Sequence, residues 1–569
     1  MGQSVLEPRA GLRDAAIDVA IVGAGVQGMA TAARLTNEGL SVIVFDRQEK
    51  LGGVWSSWAN DSSRVQVAEP FYSLGPTPTE QDFTERVNVV DTMEKSAAVA
   101  GVLDRVHLGV EVVRVKDIEG EPNVQLFYRR ISGPRPTDDQ PPEAALEQLR
   151  AGNVIFCTGG LQRPRQISWR GEDVFGKPIV YGISSQGDAL DMRGKHVVVV
   201  GMGAFGIENA RTALFAGASR VTIIAKRRNL ILSRFATAIG MSQDNELRRN
   251  CDPAGTAPKP PEGGKKPSSS ARAKPDISAQ FREAVASVMT RPFTNCGAED
   301  AMPLALKRGI GSDSPNTVPT SSDVFFIGYA LGRLQLLMGQ VDHLEPGCIV
   351  MSTGERLEAD IIIKSFGFGN PEPGDLMGGT CEIVGHKTYR PPMWITPRVI
   401  TFKTEHAPMQ KEDFPHVGEL FNLPASAPFM STMWQEIYLH FRHRPEALEK
   451  LFAGPELPEV PFSRGTFLQM SRGLHACLSS DDDLRAKINL SRRRMNENVW
   501  QRYSPSGTPT SMKGLAWIGE FLRQNRADWM DACQRLSGDP HAVPYVWEDF
   551  FTMFDKMSKP VRPPIASAL

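Results

Sequence analysis

The sequence predicts an α/β protein carrying two Rossmann-like dinucleotide-binding domains. Three observations lead there. Glycine-rich turns recur at Gly23-Ala24-Gly25-Val26-Gln27-Gly28 and at Gly201-Met202-Gly203-Ala204-Phe205-Gly206. Each follows a short apolar run and opens a stretch of helical spacing, the strand–turn–helix order that a nucleotide-binding unit requires. The second strands of the two units then end in opposite charge, Asp46 in the first and Lys226-Arg227-Arg228 in the second.

The elements follow in chain order. Ile17 to Val22 is an apolar run that stops at Gly23, as a buried parallel strand does. From Gly28 to Leu35 come Met29, Ala30, Ala32 and Ala33, small enough for a helix to lie close to a sheet. Gly39 ends that helix, and Val42 to Phe45 forms the next strand, closing on Asp46. The same grammar returns at His196 to Val200, in a helix through Ile207 and Leu214, at the stop Gly217 and in the strand Val221 to Ile224. Between the units, Val154-Ile155-Phe156-Cys157-Thr158-Gly159-Gly160 reads as a strand running into a tight turn, and Asp360 to Gly369 repeats that form. Apolar strands that end in glycine allow backbone to approach a cofactor closely, so Thr158, Gly159 and Gly367 join the candidate site. Turn glycines on ordinary core strands are the competing reading of both segments.

The Pro-, Gly- and Ser-rich stretch at about 251–275 predicts a flexible surface insertion, and about 134–142 a smaller one. After about 450, helical patterns and Trp500, Trp517, Trp529 and Trp547 predict a mostly helical C-terminal extension.

Within each turn the first glycine permits the sharp bend, the second leaves room for a pyrophosphate, and the third lets helix and strand touch. Helix N-termini add unpaired N–H groups and a positive dipole end for the phosphates. An acid at the strand end accepts hydrogen bonds from a bare ribose, whereas cations suit a 2′-phosphate. Gly23, Gly25, Gly28 and Asp46 therefore read as an FAD site. Gly201, Gly203, Gly206, Lys226, Arg227 and Arg228 read as an NADPH site. A basic surface loop is the plainer account of the three cations.

Composition sets the bounds. The chain has 569 residues, 41% of them hydrophobic and 23% charged, with a formal net charge of -1. That near-neutral balance points to neither nucleic acid nor an anionic membrane as partner. No apolar run reaches the roughly 18–20 residues that span a bilayer. Leu6 stands where a myristoylation signal needs Ser or Thr, no secretory segment is visible, and Ser567-Ala568-Leu569 only loosely resembles a peroxisomal tail. The 7 cysteines form no CxxC pair, which argues against a disulfide framework or a zinc site. The expected location is cytoplasmic, and oligomeric state is not readable.

Together with Gly52-Gly53-Val54-Trp55, whose Gly53 and Trp55 form a turn of the kind that closes over a flavin ring, these motifs resemble the class-B flavin-dependent monooxygenases. That group includes flavin-containing, N-hydroxylating and Baeyer–Villiger members. The resemblance runs from about Asp18 to Leu451. It implies a discontinuous FAD domain (1–180 and 346–450), an inserted NADPH domain (181–345) and an extension (451–569). It also implies that NADPH reduces the flavin, that O2 adds at its C4a, and that one oxygen atom passes to a small-molecule substrate.

Departures from the family pattern bear on the subtype. Its linking signature ends in His where this chain, reading Phe175-Gly176-Lys177-Pro178-Ile179-Val180-Tyr181, has Tyr181. The Trp-Pro ending of the Baeyer–Villiger signature is missing, since Gly182-Ile183-Ser184-Ser185 follows. By spacing, the family's flavin-side asparagine falls near Ala68-Glu69-Pro70, and Phe366 replaces a Thr. Tyr181 and Glu69 are thus the catalytic candidates, Glu69 as a general base or a modulator of the flavin peroxide, or as a solvated loop acid. The expected reaction is oxygen transfer to nitrogen or sulfur. Carbon-centred oxygenation, NADPH oxidase or reductase activity, and non-catalytic nucleotide binding stand as alternatives.

Overall fold

The computed structural model describes residues 17–67, 72, 81–131, 145–159, 161, 163–234, 289–307, 320–369, 380–386, 388–390, 394–402, 427–458, 481–484, 486–488, 490 and 516–542. The predicted insertions at 251–275 and 134–142, and with them Glu69, Trp500 and Trp547, lie outside the described residues.

Two sheets organise these residues. The first is built on β1 (Ile17–Val22), whose Val19, Ala20 and Ile21 are fully buried on both faces, as a central parallel strand demands. β1 lies between β2 (Val42–Asp46) and β6 (Glu147–Phe156), parallel to both. β3 (Val106–Leu108) extends the β2 edge. An antiparallel pair, β4 (Val110–Asp117) and β5 (Val124–Arg130), joins at β6. Helix α1 (Val26–Asn37) covers β1 and β2, and the 4-residue α2 (Val54–Ser57) and α3 (Arg86–Val99) follow.

The chain then crosses through β7 (Arg163–Pro164) to a second sheet of five parallel strands. These are β8 (Ile179–Tyr181), β9 (His196–Val200), β10 (Arg220–Ala225), β13 (Leu334–Met338) and β17 (Ile361–Lys364), in the order β13-β10-β9-β17-β8. Helix α4 (Ala204–Phe215) follows β9. β11 (Ile231–Leu232) pairs with β12 (Thr320–Ser321) ahead of α5 (Asp323–Ala330). The antiparallel trio β14 (Val341–Glu345), β15 (Cys348–Met351) and β16 (Arg356–Glu358) packs its Leu344, Ile349 and Met351 with Val198, Val200 and Ile224 of this second unit.

Strand pairing moves one expected boundary. The sequence reading returns the chain to its first domain at about 346, yet β17 lies between β9 and β8. Ile361, Ile362 and Ile363 are fully buried and need sheet neighbours on both sides. Asp360 fixes the entry, accepting from His196 N at 2.9 Å and from Lys177 Nζ at 2.9 Å. The first sheet resumes only after β18 (Phe368–Gly369) and β19 (Thr388–Tyr389), with β21 (Val399–Thr401) beside β6 and β20 (Trp394–Thr396) beyond it at the edge.

Three longer helices follow the first sheet's last strands: α6 (Ala427–Arg442), α7 (Pro445–Ala453) and α8 (Ala516–Ser537). α6 packs along α1, and its Arg442 donates to Asp18 and Asn153 at 3.0 and 2.9 Å. Among the described residues no helix is long and apolar enough to cross a membrane, and no group of three His, Cys, Asp or Glu side chains is placed to hold a metal ion.

Candidate functional site

The two glycine turns are built alike. Gly23 N donates to Phe45 O at 2.7 Å, and Gly201 N donates to Ile224 O at 2.8 Å, so each turn is pinned to the end of its neighbouring strand. Gly23 and Gly201 sit at φ +113 and +122, where a side chain is strained. A Cβ on Gly23 would meet Cys157 O at 2.5 Å, and one on Gly28 or Gly206 would overlap the carbonyl of the turn's own first glycine. Those positions are glycine for the protein's sake. Gly25 is different: a Cβ there would touch only Gly53, at 3.6 Å. Packing tolerates a methyl at Gly25, whose bare backbone faces Gly53 across an open cradle.

Helices α1 and α4 begin at Gly25 and Gly203 with no side-chain cap, whereas Ser322 caps α5 by accepting from Phe325 N. Uncapped N–H groups at a glycine turn leave room for an anion, though α3 and α7 also begin without a side-chain cap. Beside the first, the Gln27 amide is buried without a hydrogen-bond partner among the described residues.

Asp46 lies at the end of β2, where the sequence reading puts it. Its Oδ2 accepts from Ala24 N at 2.6 Å and its Oδ1 from Gln48 N at 2.8 Å, so the carboxylate braces the turn. Burial raises its pKa, opposed by those two hydrogen bonds and by Arg47. Gly52 N donates to Ala24 O at 3.0 Å and brings the Gly53–Trp55 loop over the turn. Trp55 is held by its Nε1 donating to Tyr72 at 2.6 Å and by its carbonyl accepting from Arg86 Nε at 2.6 Å. Burial pushes the Tyr72 phenol up to about 12, so it stays a neutral partner for Trp55. Thr158, half-buried, and Gly159, exposed at φ +64, come off β6 next to Gly23. Cys157, between the end of β6 and Thr158, is buried, and burial drives its thiol pKa upward, away from nucleophilic use.

At the second turn the three cations separate. Lys226 and Arg227 are exposed, but Arg228 is half-buried and donates its Nε to Asp300 O at 2.6 Å. Lys226 and Arg227 are thus better placed than Arg228 for a phosphate. Gly367, at φ +68, has open space where a side chain would be. Its carbonyl accepts from Arg165 N at 3.0 Å, and β18 pairs with β7, so the outgoing and returning crossovers form one ribbon.

Tyr181 ends β8, on the edge of the second sheet. Its hydroxyl donates to Ile167 O at 3.2 Å and accepts from Ile167 N at 3.1 Å, which commits it to the crossover backbone. Its ring lies 5.2 Å from Lys364 Nζ, a buried ammonium that also pairs with Glu172 at 2.6 Å and faces Trp169 at 4.9 Å. Tyr181 and Lys364 fasten the crossover to the second sheet, and the hydroxyl's single proton is spent on Ile167 O. Glu69, the other catalytic candidate, lies outside the described residues.

Sequence reasoning missed the junction between the units. Asn60, buried at 1% exposure, donates to Gly182 O at 3.2 Å, and Asn209 of α4 donates to the same carbonyl at 2.9 Å. Gly182 has no room for a side chain, since a Cβ would collide with Asn209 and Ser365. Ser184 and Ser185 both adopt left-handed backbone, φ 52 and 60, a strain found where surroundings impose it. Ser184 N donates to Trp58 O at 2.9 Å, and Ser185 N to Asn60 Oδ1 at 3.0 Å. Half-buried Trp58, Phe205 and Phe368 gather here, with Phe368 6.2 Å from Trp58 and 5.5 Å from Phe205. The lone signal in the sequence was the run Gly182 to Ser185 standing where the family's Trp-Pro is missing.

Comparison with known proteins places this geometry. The family model for pyridine nucleotide-disulphide oxidoreductases matches residues 17–251, from β1 past the second glycine turn. The FAD-binding monooxygenase lolF1 of Epichloe uncinata is 29% identical over 198 residues, 34% of this chain and 34% of that protein. The FAD-binding monooxygenase acrE of Aspergillus aculeatus is 26% identical over 194 residues, 34% of this chain and 31% of that one. A Baeyer-Villiger monooxygenase of Streptomyces coelicolor is 25% identical over 197 residues, 34% of each. The matched part therefore spans about a third of the length of these curated relatives. In fold, a cyclohexanone monooxygenase variant from Rhodococcus sp. Phi1 bound to NADP+ superimposes with TM-score 0.50 at 16% identity, covering 77% of this chain and 89% of that one. OTEMO in an FAD-bound form does so with TM-score 0.50 at 13% identity, covering 82% and 98%.

Proposed function

We propose that this chain, a relative of the class-B flavin-dependent monooxygenases, is an NADPH-dependent FAD monooxygenase acting on a small molecule. The single observation that carries the reading is the pair of uncapped glycine turns, one of them facing an open Gly25–Gly53 cradle, joined by a shared crossover ribbon. On this reading the FAD unit is discontinuous, with the NADPH unit inserted between β6 and β20 and the residues after 451 forming a helical extension.

FAD, reduced by NADPH when both are bound, supplies the activation of O2. The chain's own residues hold and orient. Gly25 and the first turn of α1 receive the pyrophosphate of FAD, Asp46 fixes that turn and faces the ribose, and Gly53 with Trp55 closes over the ring system. Lys226 and Arg227 take the 2′-phosphate of NADPH, each charge-assisted contact contributing about 1.5–3 kcal/mol. Asn60, Gly182 and Asn209 set the junction between the two sites, where Trp58, Phe205 and Phe368 would limit the access of water to bound cofactors.

Oxygen transfer to nitrogen or sulfur is the preferred outcome, because Gly182 to Ser185 replace the Baeyer–Villiger ending and are spent on docking to residues 57–62. Attack on a carbonyl carbon is the second reading, favoured by the likeness to the Streptomyces coelicolor protein. Aerobic turnover with panels of amines, thioethers and ketones decides between them. NADPH consumption matched by an N- or S-oxygenated product supports the first, an ester or lactone the second. Stoichiometric hydrogen peroxide with no oxygenated product refutes both.

A further inference from the structure

The C-terminal helix α8 touches both nucleotide-binding units through side chains that have no role in the site described above. Its buried residues, Phe521, Asn525, Trp529, Ala532, Cys533 and Leu536, recur at helical spacing and form one face. Toward the first unit, Phe521 packs on Phe83 with ring centroids 6.1 Å apart, and Asn525 Nδ2 donates to Asp82 Oδ2 at 3.0 Å. Toward the second, Arg333 Nη1 donates to Leu536 O at 2.6 Å, and the Arg535 guanidinium lies 4.6 Å from the Phe215 ring.

Asp528 is the point where the two sets of contacts meet. Its Oδ2 accepts from Arg64 Nη1 at 3.2 Å and from Arg234 Nη1 at 3.1 Å. Arg64 follows the junction loop 57–62 and also pairs with Glu85 at 2.6 Å. Arg234 follows the Lys226–Arg228 strand end, pairs with Asp323 at 3.4 Å and lies 4.7 Å from the Phe83 ring. One carboxylate oxygen thus bridges cations from both units, with each cation held from behind by a carboxylate of its own unit. Burial would raise the Asp528 pKa, but Arg234 and Arg64 outweigh it and keep the carboxyl below its ordinary value.

We propose that α8 is a strap across the two units and that Asp528 is its positioning residue, fixing their relative orientation by holding Arg64 and Arg234 on one oxygen. Its consequence for hydride transfer rests on the two-nucleotide reading above; the strap itself does not. A fixed junction matters because hydride transfer depends steeply on donor–acceptor distance and alignment.

The test is amide hydrogen exchange on the full-length protein with and without Asp528→Asn, followed by anaerobic reduction with NADPH. Asp528→Asn keeps the size of a side chain that is 45% exposed, so the helix itself is not disturbed. Exchange at Asp61, Ser184 and Ser185 should rise at least about tenfold, with the amides of β1, β9 and α1 unchanged. Asp528→Glu should return exchange toward wild type, and Asn525→Ala should reproduce the junction-specific rise. Reduction by NADPH should slow about tenfold while FAD retention stays constant. Unchanged junction exchange, or a uniform rise across both units, overturns the strap. A junction-specific rise in a protein whose wild type is never reduced by NADPH upholds the strap and sinks the functional reading instead.

Discussion

Gly25 and Gly28 look equivalent in the sequence, but the structure gives them different reasons for being glycine. A side chain at Gly28 collides with the Gly23 carbonyl, so Gly28→Ala should lower Tm or prevent folding. A Cβ at Gly25 meets no protein atom closer than 3.6 Å, so Gly25→Ala should fold with a near-native Tm, and the larger Gly25→Val should lose bound FAD. Differential scanning fluorimetry and flavin extraction check the pair, and full flavin content in Gly25→Val would contradict the placement of the first site. The basic triplet divides in the same way. With Arg228 anchored on Asp300 O, Arg227→Ala should raise the NADPH KM about tenfold and leave NADH little changed, the effect of one lost charge-assisted contact. Arg228→Ala should act instead through stability, with similar loss for both nucleotides. These distinctions were not legible in the sequence. The motifs fixed which residues form the turns, but the spare volume at Gly25 and the anchor on Arg228 arise from Gly53 and Asp300, brought in from elsewhere in the chain.

At the level of elements, strands and turns were legible because they are local. β1, α1, β2, β9, α4 and β10 each announce themselves through an apolar run, a glycine and small residues in a fixed order. β17 was recognised as a strand but given to the wrong sheet, since its pairing with β8 and β9 is a tertiary fact. The start of α5 offers a prediction of its own. Asp323 is buried among Arg234, Asp528 and Cys296, and burial, partly opposed by Arg234, pushes its carboxyl up to about 6. An acid whose folded pKa lies above its unfolded value binds its proton more tightly in the folded state. Its contribution therefore favours folding below about pH 4 and is lost as pH rises toward about 6. Asp323→Asn keeps the acceptor for Arg234 N without the titration. The Tm difference, variant minus wild type, should grow between about pH 4 and pH 6 and level off above pH 7. A difference that stays flat across that range would show that the carboxyl titrates normally.

The described residues form two sheet-based units, the first mixed and the second parallel, meeting at a polar junction, with a crossover ribbon on one side and α8 reaching across both. Lys364, buried between Trp169 and Tyr181, fastens the outgoing crossover to the second sheet, which leaves β7 and β18 as the segment where the units join. Replacing Lys364 by Met removes the ammonium that holds Glu172 and Ile167 O, so the crossover should become protease-sensitive while each sheet keeps its circular dichroism. Equal resistance to limited proteolysis would count against that anchoring role. The two-unit plan was legible in the sequence because the glycine turns repeat; the junction was not, because Asn60, Gly182 and Asn209 carry no motif and converge only in the fold. The most direct measurement is anaerobic mixing of FAD-loaded protein with NADPH or NADH while flavin absorbance is followed. Bleaching by NADPH, with NADH needing about tenfold more to match it, is the predicted result. Protein that holds FAD and stays yellow under NADPH would contradict it.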